Sequence, residues 1–330
     1  MRVYIHSGNH SNSHGITDTV LFLKNALQDC GHTACISPTI VANHLNIVME
    51  HFVEEKHLRA LLDGHAAGAR FVLIGTEPIV GNTFNDGVVA THWHYSNLDY
   101  WQLRFNAFKV AAKLADAIWV LAESMVADYA RLFPSLPVRF LPHGHVSDFA
   151  TVRQRPEAER DIDFYFSGSL TRHRKQILHE LLRTHEVVCT DQNTPEYLRQ
   201  DLLSRSKVCL SLRLAPDNAI PSVSRMHFHL QNRSFLLHEA YELPCPLDPF
   251  VLQAPSEDLI PWAHAALELP NRRELANDLH DRFKAALPMS ELLPPLLGEL
   301  RIVQKARATQ QPGAYSSALM SAVSACAPAP

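Results

Sequence analysis

The chain has 330 residues, 46% of them hydrophobic and 19% charged, and 30 Lys and Arg against 34 Asp and Glu leave a net charge of −4. That length suits about two domains, and the composition buries sizeable cores and excludes a disordered chain. The slight acidic balance argues against a nucleic-acid binder, which carries a basic excess, and 12 Gly beside 21 Pro removes collagen-like and linker-like readings.

In chain order, residues 2–6 read as a strand, followed by a polar loop over 7–15. Ile16, Val20, Leu23 and Leu27 then recur at helical spacing, Gly31 sits at the helix stop, and 33–37 is a second strand. Strands at 46–49, 70–75, 117–121 and 138–141 alternate with helices at 54–65, 99–114 and 125–132, and TEPIVGN after residue 75 reads as a loop. The polar stretch 146–161 reads as a linker. A second cycle begins with a strand at 163–167, the loop GSLTRHRK and a helix at 176–184. Strands at 186–190, 207–212 and 234–238 follow, with helices at 195–204, 224–232, 258–267, 272–286 and 292–306.

This alternation marks two tandem Rossmann-like, doubly wound α/β domains with an interdomain cleft. The expected division is 1–150, 151–305 and a flexible tail over 306–330. Ligands bind beyond the carboxyl ends of parallel strands, so functional residues are expected on the loops that follow strands. The apolar runs fall far below the roughly 18 residues a membrane span needs, so no transmembrane segment is expected. The start MRVYIHSGNH lacks an apolar leader, and the six cysteines show no CxxC spacing. Reduced thiols and a cytoplasmic location are the expectation.

Three stretches could carry chemistry. The loop 7–15 places His10 and His14 before a helix, where either could act as a general base or merely line a solvated cap. Gly168, Ser169, Arg172, Arg174 and Lys175 join a Gly-Ser turn to cations at a helix start, a natural seat for a diphosphate. Cations in a first helical turn oppose the helix dipole, so their presence asks for a reason. Ser224 and Arg225 open a further helix, and Glu239 ends the strand after it; they would meet phosphate and sugar hydroxyls, or form an ion pair with each other. Glu77 stands after a strand as another candidate base, or as a loop carboxylate paired with solvent or a nearby cation. His92, His94 and Tyr95 lie in a mixed aromatic and polar segment suited to an acceptor, or to ordinary packing. The pairs His92/His94 and His227/His229 do not make a metal site, because helical residues two apart diverge and no carboxylate completes the first pair.

The C-terminal pattern over 161–239 combines a strand, GS and an Arg-rich loop, the strand KVCLSL, and S-x-R with a downstream NRSFLLHE. It resembles the C-terminal domain of GT-B glycosyltransferases, and within them the bacterial spore-maturation-protein-like (CgeB-like) group. The first half resembles them in its βα rhythm and in VRFLPHG, similar to the strand entering their hinge. The resemblance implies transfer of a sugar from a nucleotide-diphosphate sugar to a carbohydrate, small-molecule or protein acceptor, with no metal or other cofactor required. It implies a first domain for the acceptor and a second for the donor. Where many members carry a helix Glu for the donor ribose, Phe228 or His229 stands here, and Arg233 replaces a small residue. Those departures keep open a nucleotide-sugar-binding subunit without turnover, and a sugar-nucleotide epimerase is a further alternative.

Overall fold

The computed structural model describes residues 1–9, 13–89, 92 and 94–308. The elements are β1 (Arg2–His6), α1 (Thr17–Asp29), β2 (Thr33–Ser37), β3 (Leu45–Met49), α2 (Glu55–Ala66), β4 (Arg70–Gly75) and the short antiparallel pair β5 (Ile79–Val80) and β6 (Thr83–Phe84). They continue with α3 (Leu98–Ala112), β7 (Ala117–Val120), α4 (Val126–Leu132) and β8 (Val138–Phe140). Then come β9 (Ile162–Ser167), α5 (Arg172–Leu181), β10 (Val187–Thr190), α6 (Glu196–Ser204) and β11 (Ser206–Ser211). The last are α7 (Val223–Gln231), β12 (Leu236–Glu239), β13 (Leu252–Ala254), α8 (Leu259–Glu268), α9 (Arg272–Ala286) and α10 (Met289–Ala308).

Among the described residues, 1–9, 27–141 and 290–308 form one compact unit; 13–26 and 142–289 form the other. In the first, six strands lie in the order β2-β1-β3-β4-β7-β8, every pair parallel. Helices cover both faces of such a sheet, which is why β3 and β7 are buried along their whole length. In the second, five parallel strands lie in the order β10-β9-β11-β12-β13. Both are doubly wound sheets, and in each the winding reverses between the first strand and the third: β1/β3 and β9/β11. A crevice opens there at the carboxyl ends of the strands.

The structure corrects several boundaries. The division at 150/151 becomes a change of unit at 141/142, and residues 13–26 count with the second unit. The cause is visible in α1, where the Asp18 carboxylate takes two hydrogen bonds from Arg199, at 2.8 and 2.6 Å. The expected linker over 146–161 is anchored instead. Phe149 and Val152 are buried, and the Asn232 side chain accepts from the backbone N–H of Thr151 and Val152. β13 has no counterpart in the sequence reading, and β5 lies inside the expected loop TEPIVGN. α5 begins at Arg172, not 176, because Thr171 caps it by accepting from the Arg174 N–H. α10 runs to Ala308, past the expected start of the tail at 306, and is grouped from Ser290 onward with the first unit. There Leu293, Leu297 and Leu300 are buried and the Leu300 carbonyl accepts from Arg70. Residues 309–330 lie outside the described residues.

Candidate active site

In the second unit the site grows from the end of β9. Gly168 has φ +141°, a backbone conformation that side-chain-bearing residues rarely adopt. A Cβ there would lie 2.6 Å from the Arg225 Nη2. Glycine is therefore required twice: by its own dihedral and by the guanidinium seated against it. Arg225 stands in the first turn of α7 and lies over the Phe166 ring at 5.5 Å. Its neighbour Ser224 accepts from the Thr19 hydroxyl at 3.4 Å and lies 3.4 Å from His143 Nε2. Ser169, Arg172 and Lys175 are exposed on the loop and at the start of α5. The first turns of α5 and α7 hold no acidic residue, so both helix starts present positive dipole ends, which suit an anion. Gly168, Ser224 and Arg225 thus lie close together at the end of β9 and the start of α7.

Two of the expected donor ligands have other duties. Arg174 is 4% exposed, and its guanidinium donates to the carbonyls of Ser169, Leu212 and Arg213. It binds the loop after β9 to the end of β11 and leaves no fork turned to solvent. Glu239 is fully buried and accepts from His173 Nε2 at 2.8 Å, Ser256 Oγ at 2.5 Å and the Arg213 N–H at 2.7 Å. Burial pushes its pKa up, but these hydrogen bonds outweigh burial and the net shift is downward. Its carboxylate organises the site and has no exposed oxygen for a sugar hydroxyl.

Arg213, His173, His238 and Tyr241 went unnoticed in the sequence. Arg213 follows β11 across the switch point from Gly168, donates to the Ala240 and Pro216 carbonyls, and lies 5.2 Å over Tyr241. The signal for it was topological: a cation just after the third strand of a doubly wound sheet. His238 stacks on Tyr241 at 5.3 Å, and among the described residues neither ring nitrogen has a hydrogen-bond partner. Burial first, then the charge of Arg225, hold its pKa near 4.

The first unit carries its own polar cluster at the corresponding switch point. After β3, the buried Glu50 takes a two-pronged ion pair from Arg104 of α3 and a hydrogen bond from Thr76. Arg104 also donates to Glu77 at 3.0 Å, and Asn85 donates to the other Glu77 oxygen at 2.8 Å. Of the two readings of Glu77, the geometry is that of a carboxylate paired with a nearby cation: one oxygen accepts from Arg104 and the other from Asn85. Burial opposes the Arg104 charge, yet Glu50 and Glu77 prevail and raise its pKa. Beside them His51 lies 3.1 Å from the Asn9 carbonyl through Nδ1 and 3.3 Å from the Tyr100 hydroxyl through Nε2. A carbonyl only accepts, so Nδ1 bears the proton and neutral His51 keeps Nε2 as a base. Burial, then Arg104, lower its pKa.

His92, His94 and Tyr95 are brought together. His94 and Tyr95 pack with Trp101, His94 also meets Tyr100, and the Trp101 indole donates to the His94 carbonyl. Arg104 lies 4.7 Å from the Trp101 ring, joining this aromatic group to the carboxylates. His10 lies outside the described residues, as does the side chain of His14. Among the described residues, no three His, Cys, Asp or Glu side chains are placed to hold a metal ion, and no helix is long and apolar enough to cross a membrane.

No protein-family model matches the chain, and no curated protein matches it. Solved structures do. AviGT4, a glycosyltransferase involved in avilamycin A biosynthesis, aligns with a TM-score of 0.52 at 12% identity over 93% of this chain and 98% of its own. The β-glucosyltransferase of T4 phage aligns with a TM-score of 0.51 at 11% identity over 93% of this chain and 99% of its own. TarM aligns with a TM-score of 0.47 at 11% identity over 78% of this chain, which spans 55% of TarM. At these identities the likeness is one of fold: the chain has the GT-B fold, two Rossmann-like α/β units, of AviGT4 and the T4 phage enzyme.

Proposed function

We propose that the protein is a glycosyltransferase that moves a sugar from a nucleotide-diphosphate sugar to a hydroxyl or other nucleophile of a carbohydrate, small-molecule or protein acceptor. The observation that carries this reading is the seating of Arg225 on Gly168 at the β9/β11 switch point, flanked by two helix starts without acidic residues. An anion placed there meets a guanidinium fork, backbone N–H groups and the helix dipoles together. The diphosphate would bind Gly168, Ser169, Ser224 and Arg225, with Arg172 and Lys175 at its edge. The same groups would stabilise it as it leaves, so no metal is required. The first unit would receive the acceptor beside His94 and Tyr95. In an inverting reaction His51 Nε2 would take the acceptor proton, with the Asn9 carbonyl holding the tautomer.

A binding subunit without turnover is the second reading. It is favoured by α7, where Phe228 and His229 are buried and supply no carboxylate for a ribose. Both readings predict nucleotide binding, tested by thermal stability with UDP, GDP, dTDP and CMP. One of them at about 100 times its Kd is expected to add about 2.7 kcal/mol of stability, and the gain should vanish in Arg225→Ala. Failure of all four sinks the donor site. Slow release of nucleotide from a sugar donor then separates enzyme from binder.

A further inference from the structure

A cavity in the second unit lies at the opposite end of α7 from Arg225. Its volume is about 420 Å³. Arg153, Arg233 and Arg273 line it together with Gln154, Gln231 and Asn232, and none of its lining residues is acidic. The wall is fixed in place. Asn232 binds the backbone of Thr151 and Val152, while Gln154 donates to the Asn232 carbonyl and lies 3.3 Å from Ser234 Oγ. Arg233 holds φ +53°, a left-handed conformation usually left to glycine after a helix end. Its guanidinium is held by the Asp281 carboxylate and the Asn277 side-chain oxygen. Nearby carboxylates are already engaged: Glu157 with Arg272, Asp201 with Arg155 and Arg205, and Asp281 with Arg233 and His280. Arg273 uses one N–H on the Arg155 carbonyl, and among the described residues Arg153 has no carboxylate partner. The charges lining the cavity are thus all positive, with Arg233 neutralised by Asp281 and with Arg153 and most of the Arg273 fork left to meet an anion, the geometry that suits phosphate.

We propose that this cavity binds a small phosphorylated sugar, its phosphate held by Arg153 and Arg273 and its hydroxyls donating to the Gln154 side-chain oxygen. A bare phosphate would leave most of the volume unfilled, and cavities of this size take whole small molecules. The site is independent of the donor loop, since none of its lining residues belongs to the Gly168 and Arg225 constellation.

The test is calorimetric titration of the full chain with inorganic phosphate, glucose 6-phosphate and fructose 1,6-bisphosphate. A sugar phosphate is expected to bind, with Kd weakened about tenfold or more in Arg153→Ala and in Arg273→Ala and unchanged in Arg225→Ala. Both cavity arginines are exposed, and circular dichroism should confirm that the variants keep their fold. Absence of binding by all three ligands overturns the proposal, as does binding that survives both substitutions. Loss of binding in Arg225→Ala alone overturns it too, by placing the anion at the donor loop. Phosphate binding as tightly as either sugar phosphate overturns the sugar assignment.

Discussion

At Gly168 the demands on one residue can be separated by experiment. Gly168→Ala adds a backbone cost of about 1–3 kcal/mol and drives Arg225 away from the loop. We expect nucleotide affinity to fall at least about tenfold, together with a modest loss of thermal stability. In an Arg225→Ala background the steric part disappears, because the atom 2.6 Å from the new Cβ is gone. The second substitution should therefore cost less stability than it does in the wild type, and strict additivity would show that the two residues do not interact. Gly168 and Arg225 could be picked out from the sequence as candidates because each lies between a strand and the first turn of a helix. Glu77 and Glu239 were legible only as carboxylates after strands. Their true duties depend on Arg104 and His173, which lie 27 and 66 residues away along the chain. No local pattern reports such pairings.

Among the elements, the join between β9, α5 and β11 depends on Arg174. From the first turn of α5 it crosses to the carbonyls of Leu212 and Arg213 and returns to that of Ser169. It also lies 5.3 Å over Phe166, the ring that Arg225 covers as well. A lysine gathers its three N–H donors on a single nitrogen and lacks the planar fork that spans these carbonyls. Arg174→Lys should lower unfolding stability by about 2–4 kcal/mol, measured as the urea midpoint, because buried acceptors are left without donors. A loss below about 0.5 kcal/mol, the range seen for exposed substitutions, would show that Arg174 does not hold this join together. The sequence announced most strands through compact apolar runs such as RFVLIG and KVCLSL. β13 escaped because it is three residues long, carries Gln253 at its centre and pairs along only one edge. The start of α5 escaped because its first turn is basic, the reverse of the usual dipole pattern.

Across the whole molecule, buried histidines couple folding to pH. His6 in the first unit and His229 and His238 in the second are almost fully buried. Burial, reinforced by neighbouring positive or ionisable groups, holds them neutral, at about 4 for His6 and His238 and about 3 for His229. In the unfolded chain each titrates near 6.5. Between those values the unfolded state binds more protons than the folded one, so stability rises with pH. Their contribution is complete above about pH 6.5 and is lost as pH falls toward 4, at up to about 1.4 kcal/mol per pH unit for each group. The urea midpoint should accordingly be flat from pH 7 to 8 and drop steeply from pH 6 to 4.5. His229 isolates the effect: among the described residues its Nδ1 has no hydrogen-bond partner, and its neighbours include the rings of Tyr165 and Phe228. His229→Leu should remove about one proton from the slope of stability against pH while leaving neutral-pH stability within about 1.5 kcal/mol of wild type. An unchanged slope in that variant would mean that His229 is already protonated in the fold, and burial would then not govern its charge.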